Sequence, residues 1–142
     1  MNAKTIIAGF ACAIVTFLAG YVIYGILLMD YERAHSYHGT GLFKTPPVIW
    51  AIGVANLFWG VLLAYIFRMA GVNTVGRGFI TGFIIVALFH AGVESLNYAT
   101  MYMHGKEMMA MNVLIDGFLG GIGGAVIGMI YHRAAADPAS VS

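Results

Sequence analysis

The sequence predicts an all-α, polytopic membrane protein with four transmembrane helices in an up-down-up-down bundle, and three observations predict it. The 142-residue chain is 61% hydrophobic and only 9% charged, against roughly 25% charged in ordinary soluble domains. Its mean hydropathy is +0.86. Four separate stretches each supply the ~20 apolar residues that a bilayer-crossing helix needs. Backbone amides in hydrocarbon must be satisfied within their own segment, so such stretches are helices, and short connections between them make neighbours antiparallel.

The first span covers about 5–29. Lys4 precedes it as in a secretory leader, but the span is too long for an h-region of about 7–15 residues, and "DYERAHSYHG" offers no small-residue cleavage site, so a retained helix is expected. The connection "DYERAHSYHGTGLFKT" carries His35 and His38 and reads as a solvated loop, with a lid over one end of the bundle as the second reading. The second span covers about 47–67. The Gly- and Asn-punctuated turn "RMAGVNTVGRG" leads into a third span at about 79–102. A tight turn, "MHGKE", then opens the fourth span at about 108–131, and residues 132–142 form a small, polar, mobile tail.

Charge places the chain without naming its work. A formal net charge of +1 excludes a strongly basic nucleic-acid binder, and the lipid bilayer is the partner that composition implies. Lys4, Arg68, Arg77 and Arg133 fall on the end shared by both termini, and Arg33, Lys44 and Lys106 on the other. The bias favours cytoplasmic termini in a cell membrane of bacterial inner-membrane type. The lone Cys12 permits no disulfide within one chain.

Polar residues inside the spans carry the functional reading. At 100° per residue, His90, Glu94, Asn97, Tyr98 and Met101 share one face of the third span, while Ile85, Phe89, Leu96 and Met103 lie opposite. A charge at mid-bilayer costs at least ~2.5 kcal/mol, so the polar face points inward. Asn112 and Asp116, four apart on the fourth span, share a face that meets it. Counting from a turn centred near Gly105, Glu94 is level with Asp116 and Asn97 with Asn112, with Asn56 of the second span at similar depth. The expected ligand, proton or ion site is therefore His90, Glu94, Asp116, Asn56, Asn97 and Asn112. Two carboxylates at one height repel unless one is protonated or a cation lies between them.

A divalent metal is one cofactor reading, held by His90, Glu94 and Asp116 with an open position. The spacing matches neither the Glu-x-x-His pair of di-iron bundles nor a His-Glu-x-x-His helix. His104 and His132 are expected to be solvated at the surface, and Tyr21 and Tyr24 to sit at the interface with their hydroxyls able to reach the polar layer. The Met-rich "MYMHGKEMMAM" reads as flexible apolar filling. On the fourth span, Gly117, Gly121, Gly124 and Gly128 have the G-x-x-x-G spacing of close helix packing. No nucleophile, phosphate loop or cofactor-attachment motif stands beside the histidine, so the sequence leans away from an enzyme.

The opening span ending in "GYVIYG", the turn "RMAGVNTVGRGFITGF" and the closing hairpin "GKEMMAMNVLIDGFLGGIGGAVIGMI" resemble a family of small four-span bacterial and fungal membrane proteins catalogued only as a domain of unknown function. Ile23, Tyr24 and Gly25 stand where that family has Trp-Tyr-Ser. The resemblance implies a four-helix membrane fold and no reaction. Two functions follow from the residues: a buried polar site for a cation, proton or small polar ligand, or an accessory or scaffolding subunit of a homo-oligomer or larger membrane complex in which the polar cluster serves packing.

Overall fold

The structure, a computed structural model, describes residues 2–37, 44 and 46–136. It is helical throughout this range apart from its connections, with four helices long and apolar enough to cross a membrane: Ala3–Leu27, Ile49–Met69, Val75–Thr100 and Lys106–Arg133. Large apolar side chains face outward along them, including Phe58, Leu88, Leu96 and Leu114. That exterior suits lipid.

Helix α1 (Ala3–Val22) starts where Asn2 accepts hydrogen bonds from the Thr5 amide and hydroxyl, at 3.1 and 2.8 Å. It continues as a π-helical turn, Ile23–Leu27, closed by the Leu28 amide on the Ile23 carbonyl at 2.8 Å. Next comes α2 (Met29–His35), a short helix where the sequence suggests a plain loop. Its last residues are tied to a distant segment: the Tyr37 amide donates to the Met103 carbonyl at 2.7 Å, and Ser36 forms an isolated antiparallel bridge with His104. His38 lies outside the described residues.

After the Pro46–Pro47 break, α3 (Ile49–Met69) crosses back. Gly71, at φ +65°, terminates it in the left-handed conformation that glycine adopts without a steric penalty, and the Val72 amide reaches the Phe67 carbonyl. Thr74 caps α4 (Val75–Thr100), so the turn is shorter than its punctuation suggests and the helix begins four residues before the expected 79. Met101, extended at φ −136°, stops α4, and α5 begins at Lys106 and runs to Ala136. Residues 132–136, expected in the tail, are thus helical. The remainder of that tail lies outside the described residues.

Contacts between helices fix their directions. Along α4 and α5, Thr74 meets Gly128, Gly78 meets Gly124, and Gly82 meets Gly120, so one helix ascends as the other descends. The same reversal relates α1 to α3, through Gly9 with Val61 and Thr16 with Asn56. It also relates α1 to α5, through Cys12 with Gly123, Gly20 with Leu119 and Tyr24 with Asp116. α5 lies along both α4 and α1, and α3 packs chiefly on α1.

Packing is closest in the half of the bundle nearer the termini. Gly120, Gly124 and Gly128 place α5 backbone against the α4 backbone at Gly82, Gly78 and Thr74. Gly117 and Gly121 instead receive Phe83, Ala87 and Phe79, and Gly123 receives Cys12 and Thr16. Beside them lies the buried core of Ala8, Cys12, Leu63, Ala64, Phe67, Val72 and Ile127. The Tyr131 hydroxyl is satisfied there by the Ala64 carbonyl at 2.8 Å. Small residues let dispersion contacts hold helices that lipid would otherwise solvate equally well.

Candidate functional site

The opposite half of the bundle holds the polar residues. Glu94, on α4, is 9% exposed and is the one buried carboxylate among the described residues. Its Oε2 lies 2.5 Å from His104 Nε2, and Asn112 Nδ2 donates to its Oε1 at 3.4 Å. His104 belongs to the α4–α5 connection, which folds the ring back over the end of the bundle, where its side chain is only 9% exposed. Expected as a solvated flanking residue, His104 is instead the partner of Glu94. Nothing in the residue spacing marks it, because a loop side chain's direction is not periodic.

The second pair lies about one helical turn deeper. His90 Nδ1 is 2.5 Å from Asp116 Oδ2, and the Tyr24 hydroxyl donates to Asp116 Oδ1 at 3.0 Å. Tyr24 reaches it from the π-helical turn, which re-aims the side chains after Val22 by one residue. Tyr21, three residues before, is instead exposed. The rings of Trp59 and Phe89 flank the imidazole, with centroids 6.4 and 5.6 Å from it.

These pairings differ from the levels counted along the sequence. The connection runs from Met101 to Gly105 and is centred on Met103. A centre at Gly105 had set Glu94 level with Asp116 and Asn97 with Asn112. The shift slides α5 by about one turn, so Glu94 meets Asn112 and Asp116 meets His90. Each carboxylate thereby acquires its own histidine, and like charges need not share one position.

The remaining expected members divide. Asn56 is not in this layer: it accepts from Thr16 Oγ1 at 3.1 Å and donates to the Ile52 carbonyl at 3.0 Å, joining α1 to α3. Thr16 lies eight residues before Tyr24 along α1, or roughly 12 Å deeper. Asn97 is half-buried on α4, one turn above Glu94 on the connection side. Asn112 is in the layer, and its Oδ1 is buried with no hydrogen-bond partner among the described residues. The three side chains expected as metal ligands are split, His90 with Asp116 and Glu94 with His104. Among the described residues no group of three His, Cys, Asp or Glu is gathered closely enough to hold a metal ion.

A third carboxylate overlooks both pairs. Glu32, on α2, is partly buried, and its charge interacts with Asp116 and His104. Burial, reinforced by the Asp116 charge and opposed by His104, holds its carboxyl above the usual glutamate range. Together, three acids, two imidazoles, a phenol and an amide occupy one end of an otherwise apolar bundle. Comparison with protein-family models, with curated proteins and with solved structures finds no match.

Proposed function

We propose that this chain is a multi-pass membrane protein that takes up and releases protons at a one-sided His–carboxylate site, and that this exchange governs its binding of a small polar or cationic ligand. The observation that carries the reading is that two carboxylates, each 2.5 Å from a histidine, lie within helices otherwise fit for lipid. At that distance and in a low-dielectric setting, the ion pair and the neutral acid–imidazole pair differ little in energy, because charge separation gains attraction while losing solvation. A proton can then pass between the two partners, and an imidazole is the side chain suited to exchanging one with its surroundings.

The site is one-sided because, among the described residues, no carboxylate or imidazole is buried in the other half. Beyond Thr16 and Asn56 lie glycine backbone and the core around Phe67 and Ile127, with Thr5 and Tyr131 each satisfied by a hydrogen bond. Such an interior supports a pocket rather than a conducting path through the chain. The positive-inside bias, four basic residues against three, favours cytoplasmic termini and hence a pocket on the non-cytoplasmic face. Lipid is the partner that the outward apolar faces favour.

The test is histidine titration by nitrogen NMR in lipid nanodiscs, for wild type, Glu94→Gln and Asp116→Asn. His104 should lose its coupling to titration in the first variant and His90 in the second. Histidines that keep one protonation state across about pH 5–8 would overturn the reading. So would near-stoichiometric metal in purified wild type that both variants lose.

A further inference from the structure

One of the two buried pairs has a member in the wall of an open groove. Two grooves of about 370 Å³ each meet at His35 and Gly105, on the polar end of the bundle. His104 lines one of them, beside Ser36, Tyr37, Tyr102 and Met103, whereas Glu94, His90 and Asp116 line neither. Yet the His104 side chain is only 9% exposed, and its Nε2 meets Glu94 Oε2 at 2.5 Å. A single imidazole thus forms groove wall on one side and touches a buried carboxylate on the other. The groove is large enough to hold several waters, so solvent reaches the ring. His90 is 28% exposed, but it sits about 15 Å below the end of α4 beside the rings of Trp59 and Phe89, at a depth fit for lipid rather than water.

The backbone holds the ring in that position. Ser36 and His104 form an antiparallel bridge, and the Tyr37 amide donates to the Met103 carbonyl at 2.7 Å, which pins the connection to the end of α2. Titratable and charged groups surround His104 from every neighbouring element. Glu94 comes from α4, and Glu32 acts through its charge from α2. His35 and Tyr37 stand at the end of α2 and Tyr102 in the connection, with Lys106 and Glu107 of α5 in the wall of the adjoining groove. Of these, Glu94 is in hydrogen-bond contact with the ring. An imidazole carries two nitrogens that point in diverging directions, and each gives or takes a proton. With Nε2 committed to Glu94, Nδ1 is the nitrogen left to exchange with water.

We propose that His104 is the entry point through which Glu94 exchanges protons with water in the groove. Uptake starts from ionised Glu94 and a neutral ring that carries its proton on Nε2. Nδ1 takes a proton from a groove water, giving an imidazolium. The Nε2 proton then passes to Glu94 Oε2, and the resulting acid donates back to the bare Nε2. One proton has entered, the histidine is neutral again with its proton on Nδ1, and release runs the same steps backwards. No other side chain is needed between solvent and carboxylate, because the ring spans from one to the other. The inference rests on the proton-exchanging reading of the buried pairs and adds its route: the Glu94 pair meets solvent, and the His90–Asp116 pair lies a turn deeper.

The two are tested together and fail separately. Full-length protein in nanodiscs is subjected to a pH jump. Infrared spectroscopy follows the carboxylic-acid stretch of Glu94, assigned by Glu94→Gln, and the ring bands of the histidines. In His104→Ala the approach of Glu94 to equilibrium should slow on the order of a hundredfold, the low end of what a positioned proton carrier contributes. Free imidazole should restore most of that rate, whereas pyrazole, of the same shape but far weaker as a base, should not. A second arm keeps His104 in place and decides the matter if His104→Ala does not fold. In a Cys12→Ala background, Tyr102→Cys, at a groove position 95% exposed, is labelled with a bulky thiol reagent, and the rate should fall severalfold. The same label on Met69→Cys, exposed at the opposite end, should leave it unchanged. An unchanged rate in His104→Ala or in labelled Tyr102→Cys would overturn the entry point while leaving the buried site standing. Equal rescue by imidazole and pyrazole would show that the ring only fills space, and would also overturn it. Histidines that respond in wild type while Glu94 does not would overturn the route alone, and no response from either would overturn both.

Discussion

His104 shows how much a single side chain decides. Without it, Glu94 is a carboxylate in an apolar layer with only a long amide contact, and removing one partner of a buried pair costs about 3–5 kcal/mol. Replacing either Glu94 or His104 by Gln should destabilise the protein in reversible unfolding by roughly that amount, and the double replacement should cost less than the sum of the two. Strict additivity would show that the two side chains do not interact. Glu32 has the opposite sign. Its proton affinity is raised by folding, so the carboxyl stabilises the fold when protonated and that contribution is lost as pH rises through its folded value. Glu32→Gln should therefore raise the thermal unfolding temperature at pH 7, with the gain vanishing below about pH 4, where glutamate is protonated in both states. Helical period singled out one face of α4, of which Glu94 is buried and His90 and Asn97 are half-buried, whereas Tyr98 and Met101 are exposed and Ile85, expected on the opposite face, packs against the core. His104 was not legible, since nothing in residue spacing says that a loop side chain folds back into the bundle.

At the scale of elements, the α4–α5 hairpin carries the clearest demand. A methyl group at Gly82 or Gly124 would collide with backbone across the interface, at the Gly120 or Gly78 carbonyl. At Gly76 or Gly92 of α4 it would meet open space. Gly82→Ala should cost about 1–3 kcal/mol through forced separation of the helices, whereas Gly92→Ala should be neutral or gain roughly 0.5–1 kcal/mol of helix propensity. Equal effects in the two variants, measured by unfolding in detergent, would mean that the helices are not in backbone contact. G-x-x-x-G spacing set the expectation of close packing at Gly117, Gly121, Gly124 and Gly128. It did not reveal which glycines meet backbone, because Gly117 and Gly121 differ from Gly120 and Gly124 only in which partner residue lies opposite. Hairpin register was lost for a related reason: one turn of slip depends on where α4 stops, and Met101 carries no breaker signal. The π-helical turn that aims Tyr24 is equally silent, as "IYGIL" has the apolar character of ordinary helix.

For the whole molecule, the four spans were readable from composition because length and apolarity are summed properties that local errors hardly change. Their arrangement sets basic residues at both ends, with Lys4, Arg68, Arg77 and Arg133 in the first or last turns at one end. Sidedness follows. In a Cys12→Ala background, Met69→Cys and Tyr102→Cys, both at strongly exposed positions, should react with an impermeant thiol reagent from opposite faces of sealed vesicles. Labelling of both from one face would contradict the crossing directions. The aromatic contacts around His90 have an optical implication. Trp59 stands against that imidazole and Phe89, while the only other indole, Trp50, is 74% exposed at the start of α3. A positively charged imidazole quenches a nearby indole, so the emission of Trp59, isolated by Trp50→Phe, should dim and brighten as His90 gains and loses its proton. Emission from Trp59 that follows pH would thus read the state of His90 directly, and emission that stays flat would count against proton exchange there.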